Sequence, residues 1–159
     1  MKISAICTDI DGTLLDKNRQ LSERTLRAFA GLPADFPVIL ASSRMPGAMT
    51  HLLDEFERAD NPLICYNGGY VIRSPHNGAE MVDSTYINPE ICRKIMQVAK
   101  QTQAHISLYA EDNWYAPSMD KWTEKEEMVT KVKATLGNQH GIIENWERGK
   151  MGAHKVMCM

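Results

Sequence analysis

The amino-acid sequence predicts an α/β fold, a parallel-sheet core followed by a separately built α+β segment. Short apolar runs at residues 3–8, 38–41 and 63–66 alternate with helical patterns. That order makes a parallel sheet with helices covering both faces. Each run stops at polar residues: Asp9, Ser42 and Asn67. From residue 70 the pattern changes to a hairpin and alternating stretches, so the expected domains are 1–69 and 70–159.

The elements follow from local chemistry. Ile3 to Thr8 form a strand that ends at two aspartates. Ser22 can cap the next helix, with Leu21 and Leu26 at the staple positions and Gly31 as its stop. Leu26, Phe29 and Ala30 give that helix an apolar face. Pro46 suits a first turn, and Met49, Leu52, Leu53 and Phe56 fall at i, i+3, i+4 and i+7. Tyr70–Ile72 and Glu80–Val82 flank Ser-Pro-His-Asn-Gly as a hairpin. Pro89 starts a helix whose Ile91, Ile95, Val98 and Ala99 line one face. Residues 105–109 alternate like a strand, and Asp112-Asn113 turn the chain before Trp114-Tyr115. Residues 121–136 read as a charged helix with Met128, Val129, Val132 and Leu136 inward. Residues 155–159 read as the start of another strand.

Composition narrows the function classes. The chain has 159 residues, 43% of them hydrophobic, and a net charge of −2. A nucleic-acid surface would normally be basic, so none is expected. A small phosphorylated metabolite is compatible with this balance. The four cysteines form no C-x-x-C pair, and Cys7 and Cys65 lie in apolar runs, which predicts buried reduced thiols. The scattered histidines make no zinc-ligand pair. Asp9 and Asp11 cut the N-terminal apolar run too short for a leader, and no run approaches the ~18 residues of a membrane span. A cytoplasmic protein is expected.

The chemistry concentrates in Asp9-Ile10-Asp11-Gly12-Thr13-Leu14-Leu15. Both aspartates lie at the carboxyl end of a strand, where ligands bind in open α/β sheets. Two close carboxylates repel unless a cation screens them, and Mg²⁺ takes oxygens from one or two carboxylates, phosphate and water. With Asp9 and Asp11 as metal ligands, Asp9 can attack phosphorus and Asp11 can act as acid and base. An acid role requires an environment that raises the Asp11 pKa. Gly12 lets backbone N–H groups approach a phosphate. A calcium loop does not fit, because the glycine stands at the fourth position and Gln20 at the twelfth. Ser42, ending the second strand, has a hydroxyl for a phosphate oxygen, or Ser42 or Ser43 caps a helix. Arg44 either approaches the phosphate or is a solvated loop cation. Asn67-Gly68 is either a substrate-side element or a plain turn.

The first motif, Val38-Ile39-Leu40-Ala41-Ser42-Ser43-Arg44, and Cys65-Tyr66-Asn67-Gly68-Gly69 together resemble the Cof-type (subclass IIB) branch of the haloacid dehalogenase (HAD) phosphatases. The resemblance implies a HAD-like (Rossmannoid) core with an inserted α+β cap. It implies that Asp9 is the nucleophile and a metal ligand, forming an aspartyl-phosphate. It further implies that Asp11 is the acid/base and gives its main-chain carbonyl to Mg²⁺. The family's second motif is Thr-Gly-Arg. Here Ser42 keeps the hydroxyl, and Ser43 replaces the glycine, whose backbone contact to phosphate passes to it less directly. Asn67 and Gly68 correspond to the entry into the cap, which contributes to substrate choice.

The same resemblance calls for a lysine and a second acidic pair after the cap. The sequence has no Asp after Asp120, no Asp or Glu after Glu147 and no Gly-Asp dipeptide. These residues therefore read as the N-terminal portion of such a protein, with an incomplete core, an uncovered strand edge that favours self-association, and weak turnover on their own. A phosphomannomutase-like phosphotransferase and a non-catalytic HAD binding protein are the alternatives. A phospho-accepting receiver domain is disfavoured, because the third strand ends without an aspartate.

Overall fold

The structure, a computed structural model, describes residues 3–159 and comprises two compact units, the first reaching Ser84 and the second Thr85–Met159. In the first unit β1 (Ile6–Asp9), β2 (Val38–Ala41) and β3 (Leu63–Cys65) are parallel neighbours. The hairpin β4 (Tyr70–Arg73) and β5 (Glu80–Ser84) continues the same sheet antiparallel to β3. The expected boundary at residue 69 therefore moves to 84. Tyr70 pairs with Cys65 across a turn too short for anything but an antiparallel return.

The sheet is buried on one face, not on the two that were expected. Val38, Leu40, Leu63, Cys65, Tyr70 and Ile72 are buried, whereas Cys7 on the other face is exposed and Ile39, Ala41, Ile64 and Val71 are half-buried. The physical reason is topological. The sheet runs in the order β1-β2-β3, so successive right-handed crossovers place both connecting helices on the same side. Those helices are α1 (Glu23–Ala30) and α2 (Thr50–Glu55). Cys7 is thus not the buried thiol its apolar run suggested.

Ser22 caps α1 by accepting the Thr25 N–H at 3.1 Å. Phe29 of α1 meets Phe56 beyond α2 with ring centroids 4.4 Å apart. A 3₁₀ turn at Pro46–Ala48 leads into α2, and Met49, Leu52, Leu53 and Phe56 are all buried as their spacing predicts. Arg58, also buried, donates to the carbonyls of Phe29, Leu32, Pro33, Ala34 and Phe36. It thereby fixes the loop between α1 and β2.

The second unit has a sheet ordered β8-β7-β6-β9: β6 (Ile106–Ala110), β7 (Asn113–Ala116), β8 (Thr135–Leu136) and β9 (Lys155–Cys158). Helices α3 (Pro89–Thr102) and α5 (Gln139–Gly149) share an apolar core with Ile106, Leu108 and Ala110. In α3 the buried residues are Cys92 and Ala99, while Ile91 and Val98 are exposed, so the buried face is rotated from the expected one. Helix α4 (Lys121–Thr130) stops six residues before the expected end at 136. Lys131 turns left-handed, Glu127 accepts from the Lys133 ammonium and the Ala134 N–H, and Thr135 pairs with Tyr115. Met128 and Leu136, expected inward, are exposed.

Candidate active site

The site begins with how β1 ends. Ile10 is fully buried, and its carbonyl accepts the N–H groups of Leu14 and Leu15, both at 3.0 Å. This knot, closed by Gly12 at φ 79°, leaves the flanking residues Asp9 and Asp11 exposed. A positive φ of that size favours glycine, and Gly12 supplies it. Asp9 accepts a hydrogen bond from the Thr13 hydroxyl at 3.3 Å.

Asp11 is held by two arginines. Arg44 donates from Nε to one carboxylate oxygen at 2.9 Å and from Nη2 to the other at 2.7 Å. Its remaining arm, Nη1, donates to the Ala48 carbonyl at 3.1 Å. Arg19 adds a bond at 3.2 Å from an exposed loop. The Arg44 hydrogen bonds hold the Asp11 carboxyl below its ordinary range, against a smaller effect of burial, and the charges of Arg44 and Arg19 add to this. The direction is opposite to the raised value expected for an acid. Arg44, expected on phosphate or in solvent, is occupied by Asp11; its side chain is only 10% exposed.

The second and third strands bring their ends to the same edge. Asp9 lies beside Ala41 and Ala41 beside Ile64, so Ser42 follows directly at the next step. Ser42 is buried. Its N–H donates to Ile64, its carbonyl accepts from the Asn67 N–H, and its hydroxyl oxygen accepts the Arg44 N–H at 3.3 Å. The helix-cap alternative for Ser42 and Ser43 is not realised, since Met45 occupies the cap position of the 3₁₀ turn. Ser43 is exposed. Asn67 (φ 57°) and Gly68 (φ 94°) form a left-handed turn tied to Ser42.

Two participants were not singled out from the sequence. Thr13 lies inside the motif and could have been read as a hydroxyl partner for Asp9. Arg19 lies in a polar loop where nothing in the spacing marks it.

The sequence profile of the haloacid dehalogenase-like hydrolases matches residues 6–159. The chain belongs to this family. An uncharacterized hydrolase of Schizosaccharomyces pombe is 30% identical over 106 residues, which are 58% of this chain and 35% of that protein. A crystal structure from Thermotoga maritima superposes with a TM-score of 0.78 at 25% identity, covering 99% of this chain and 57% of that one. A structure named as a HAD subclass IIB sugar phosphatase superposes with a TM-score of 0.72 at 18% identity, covering 90% and 55%. The matched residues thus share the fold of that structure. The chain spans about half the length, or less, of the relatives it matches.

Members of the HAD family generally use Mg²⁺, and the residues present fit part of its shell. Asp9 offers an exposed carboxylate at the strand end. Arg44 and Arg19 engage the Asp11 side chain, so a contribution of Asp11 to the shell would fall to its main-chain carbonyl. Among the described residues no cluster of three or more His, Cys, Asp or Glu side chains surrounds them. No helix among the described residues is long and apolar enough to cross a membrane.

Proposed function

We propose that the protein is a Mg²⁺-dependent phosphomonoesterase acting on a small phosphorylated metabolite through an aspartyl-phosphate on Asp9. The observation that carries this reading is the exposed pair Asp9 and Asp11 flanking buried Ile10, one strand from Ser42. Asp9, at the strand end, attacks phosphorus. The Ser42 hydroxyl oxygen already accepts the Arg44 N–H, so its proton is available to a phosphate oxygen. The Gly12 backbone offers N–H groups to the same anion. Bound Mg²⁺, held by the Asp9 carboxylate and the Asp11 carbonyl, would screen the charge that otherwise repels the nucleophile from phosphate.

A sugar phosphate is the substrate class to try first, because one structural neighbour is named a sugar phosphatase. We read residues 85–159 as the cap of this family and place the protein in the cytoplasm, in keeping with four free cysteines. The 159 residues alone should turn over weakly, because they lack the lysine and the second acidic pair that the family resemblance calls for. The test is phosphate release from an aryl phosphate with and without Mg²⁺, using the protein at its native length. Asp9→Asn should lower the rate at least about 1000-fold, as loss of a nucleophile does. Undiminished turnover by Asp9→Asn would refute the assignment.

A further inference from the structure

We infer that Arg44 is a positioning residue, which fixes the Asp11 carboxylate through both its oxygens for proton transfer and does not bind the phosphate itself. This rests on the phosphatase reading above.

The geometry is that of a fork. Nε and Nη2 of one planar guanidinium reach the two oxygens of Asp11 at 2.9 and 2.7 Å. Two parallel bonds define the plane of the carboxylate, which a single bond or a lysine ammonium would not. The guanidinium is itself anchored, by Nη1 on the Ala48 carbonyl at 3.1 Å and by 90% burial of the side chain. The backbone joins in: the Arg44 N–H rests on the Ser42 hydroxyl and its carbonyl accepts the Tyr66 N–H at 3.1 Å. Arg44 is therefore built into the ends of β2 and β3 while gripping a residue beyond the end of β1. Arg19, half-exposed and making one longer bond, shares the charge without setting the plane.

The fork fixes the plane of the carboxyl through both steps, while its hydrogen bonds and its charge favour the ionised form that the second step uses. In the first step an Asp9 oxygen bonds to phosphorus, the ester P–O bond breaks, and the departing oxygen takes the proton of the Asp11 carboxyl. Asp11 is left as the carboxylate that Arg44 holds. In the second step water bonds to phosphorus and gives its proton to Asp11, and the bond from Asp9 to phosphorus breaks. Three of the five N–H donors of Arg44 are committed, two to Asp11 and one to Ala48, so its side-on fork is not open to a phosphate oxygen.

Leaving-group dependence separates positioning from phosphate binding. A poor leaving group such as a sugar or alkyl alcohol needs the proton, whereas p-nitrophenolate does not. Arg44→Ala should lower kcat/KM for an alkyl phosphate roughly 10- to 100-fold, part of the ~100-fold or more that acid catalysis contributes, and for p-nitrophenyl phosphate less than about threefold. Inhibition by inorganic phosphate should shift less than about threefold, and added methylguanidinium should restore part of the alkyl phosphate rate. Arg44→Lys keeps a cation but no fork. It should show the same selective loss, and it carries the test if Arg44→Ala does not fold. Equal losses on both substrates with weakened phosphate inhibition would make Arg44 a phosphate ligand and overturn the inference. So would no loss on either substrate. Wild-type turnover that ignores Asp9→Asn would overturn the phosphatase reading and this inference together; a wild type that needs Asp9 confines any failure to Arg44.

Discussion

Each carboxylate at the end of β1 has a different company, and this company sorts their roles. The Asp9 carboxylate accepts from the Thr13 hydroxyl, whereas that of Asp11 accepts from two guanidinium groups. The pairing was not legible in the sequence, because Arg44 stands thirty-three residues from Asp11 and only the sheet register brings them together. The place of the aspartates was legible, since the apolar run stops at them and both stand exposed at the end of β1. A different residue, His154, makes the second unit sensitive to acid. It is buried, and its Nδ1 accepts the Glu111 N–H at 2.8 Å, so the ring must be neutral there. Burial lowers its pKa from 6.5 to about 4. Between those values the unfolded chain binds the extra proton, so the stability His154 contributes is complete above pH 6.5 and is lost as pH falls towards about 4. Urea midpoints of the second unit should fall over that window. His154→Gln, which keeps an acceptor but does not titrate, should flatten that part of the profile; an unchanged profile would contradict the role.

At the scale of elements, α2 follows its apolar spacing in full, whereas Ala30 of α1 and Met81 and Val82 of β5 are exposed, and the misjudged elements have identifiable causes. The residue 121–136 helix was over-extended because Val132 and Leu136 continue its spacing, while the left-handed Lys131 and the Glu127 cap that end it have no periodic signature. Helix α5 went unread, although Asn138 caps it and Ile143 and Trp146 are its buried face. Gly152 marks a further local constraint: any Cβ there would collide with the Ile87 carbonyl, whose strand-like bridge to Ala153 it permits. Arg58 is the element-scale device with the largest expected effect. Its carbonyl partners from Phe29 to Phe36 include the end of α1 and the approach to β2. Arg58→Met, which keeps the buried stem, should destabilise the first unit by about 2–4 kcal/mol through the acceptors left unpaired. Denaturant unfolding measures this, and a change within about 0.5 kcal/mol, typical of surface sites, would show the network to be incidental.

On the scale of the whole molecule, two units share one chain, and the carboxylates proposed to carry the reaction, Asp9 and Asp11, belong to the first. That the two differ in architecture was legible from the change in pattern after the third strand. The exact seam was not, because a hairpin reads the same whether it extends the first sheet or begins a new unit. Its pairing with β3 decides the matter. The open face around Cys7, Ile39 and Ile64 was also illegible, since an apolar strand run does not say which of its faces a helix will cover. Neither feature alters the central claim, that Asp9 carries the phosphoryl group between substrate and water. Rapid quenching of the native-length protein during turnover of an alkyl phosphate, followed by borohydride reduction and peptide mass mapping, tests this directly. The account predicts reduction to the alcohol at Asp9 alone, dependent on substrate and Mg²⁺. Reduction at another carboxylate during confirmed turnover would contradict it.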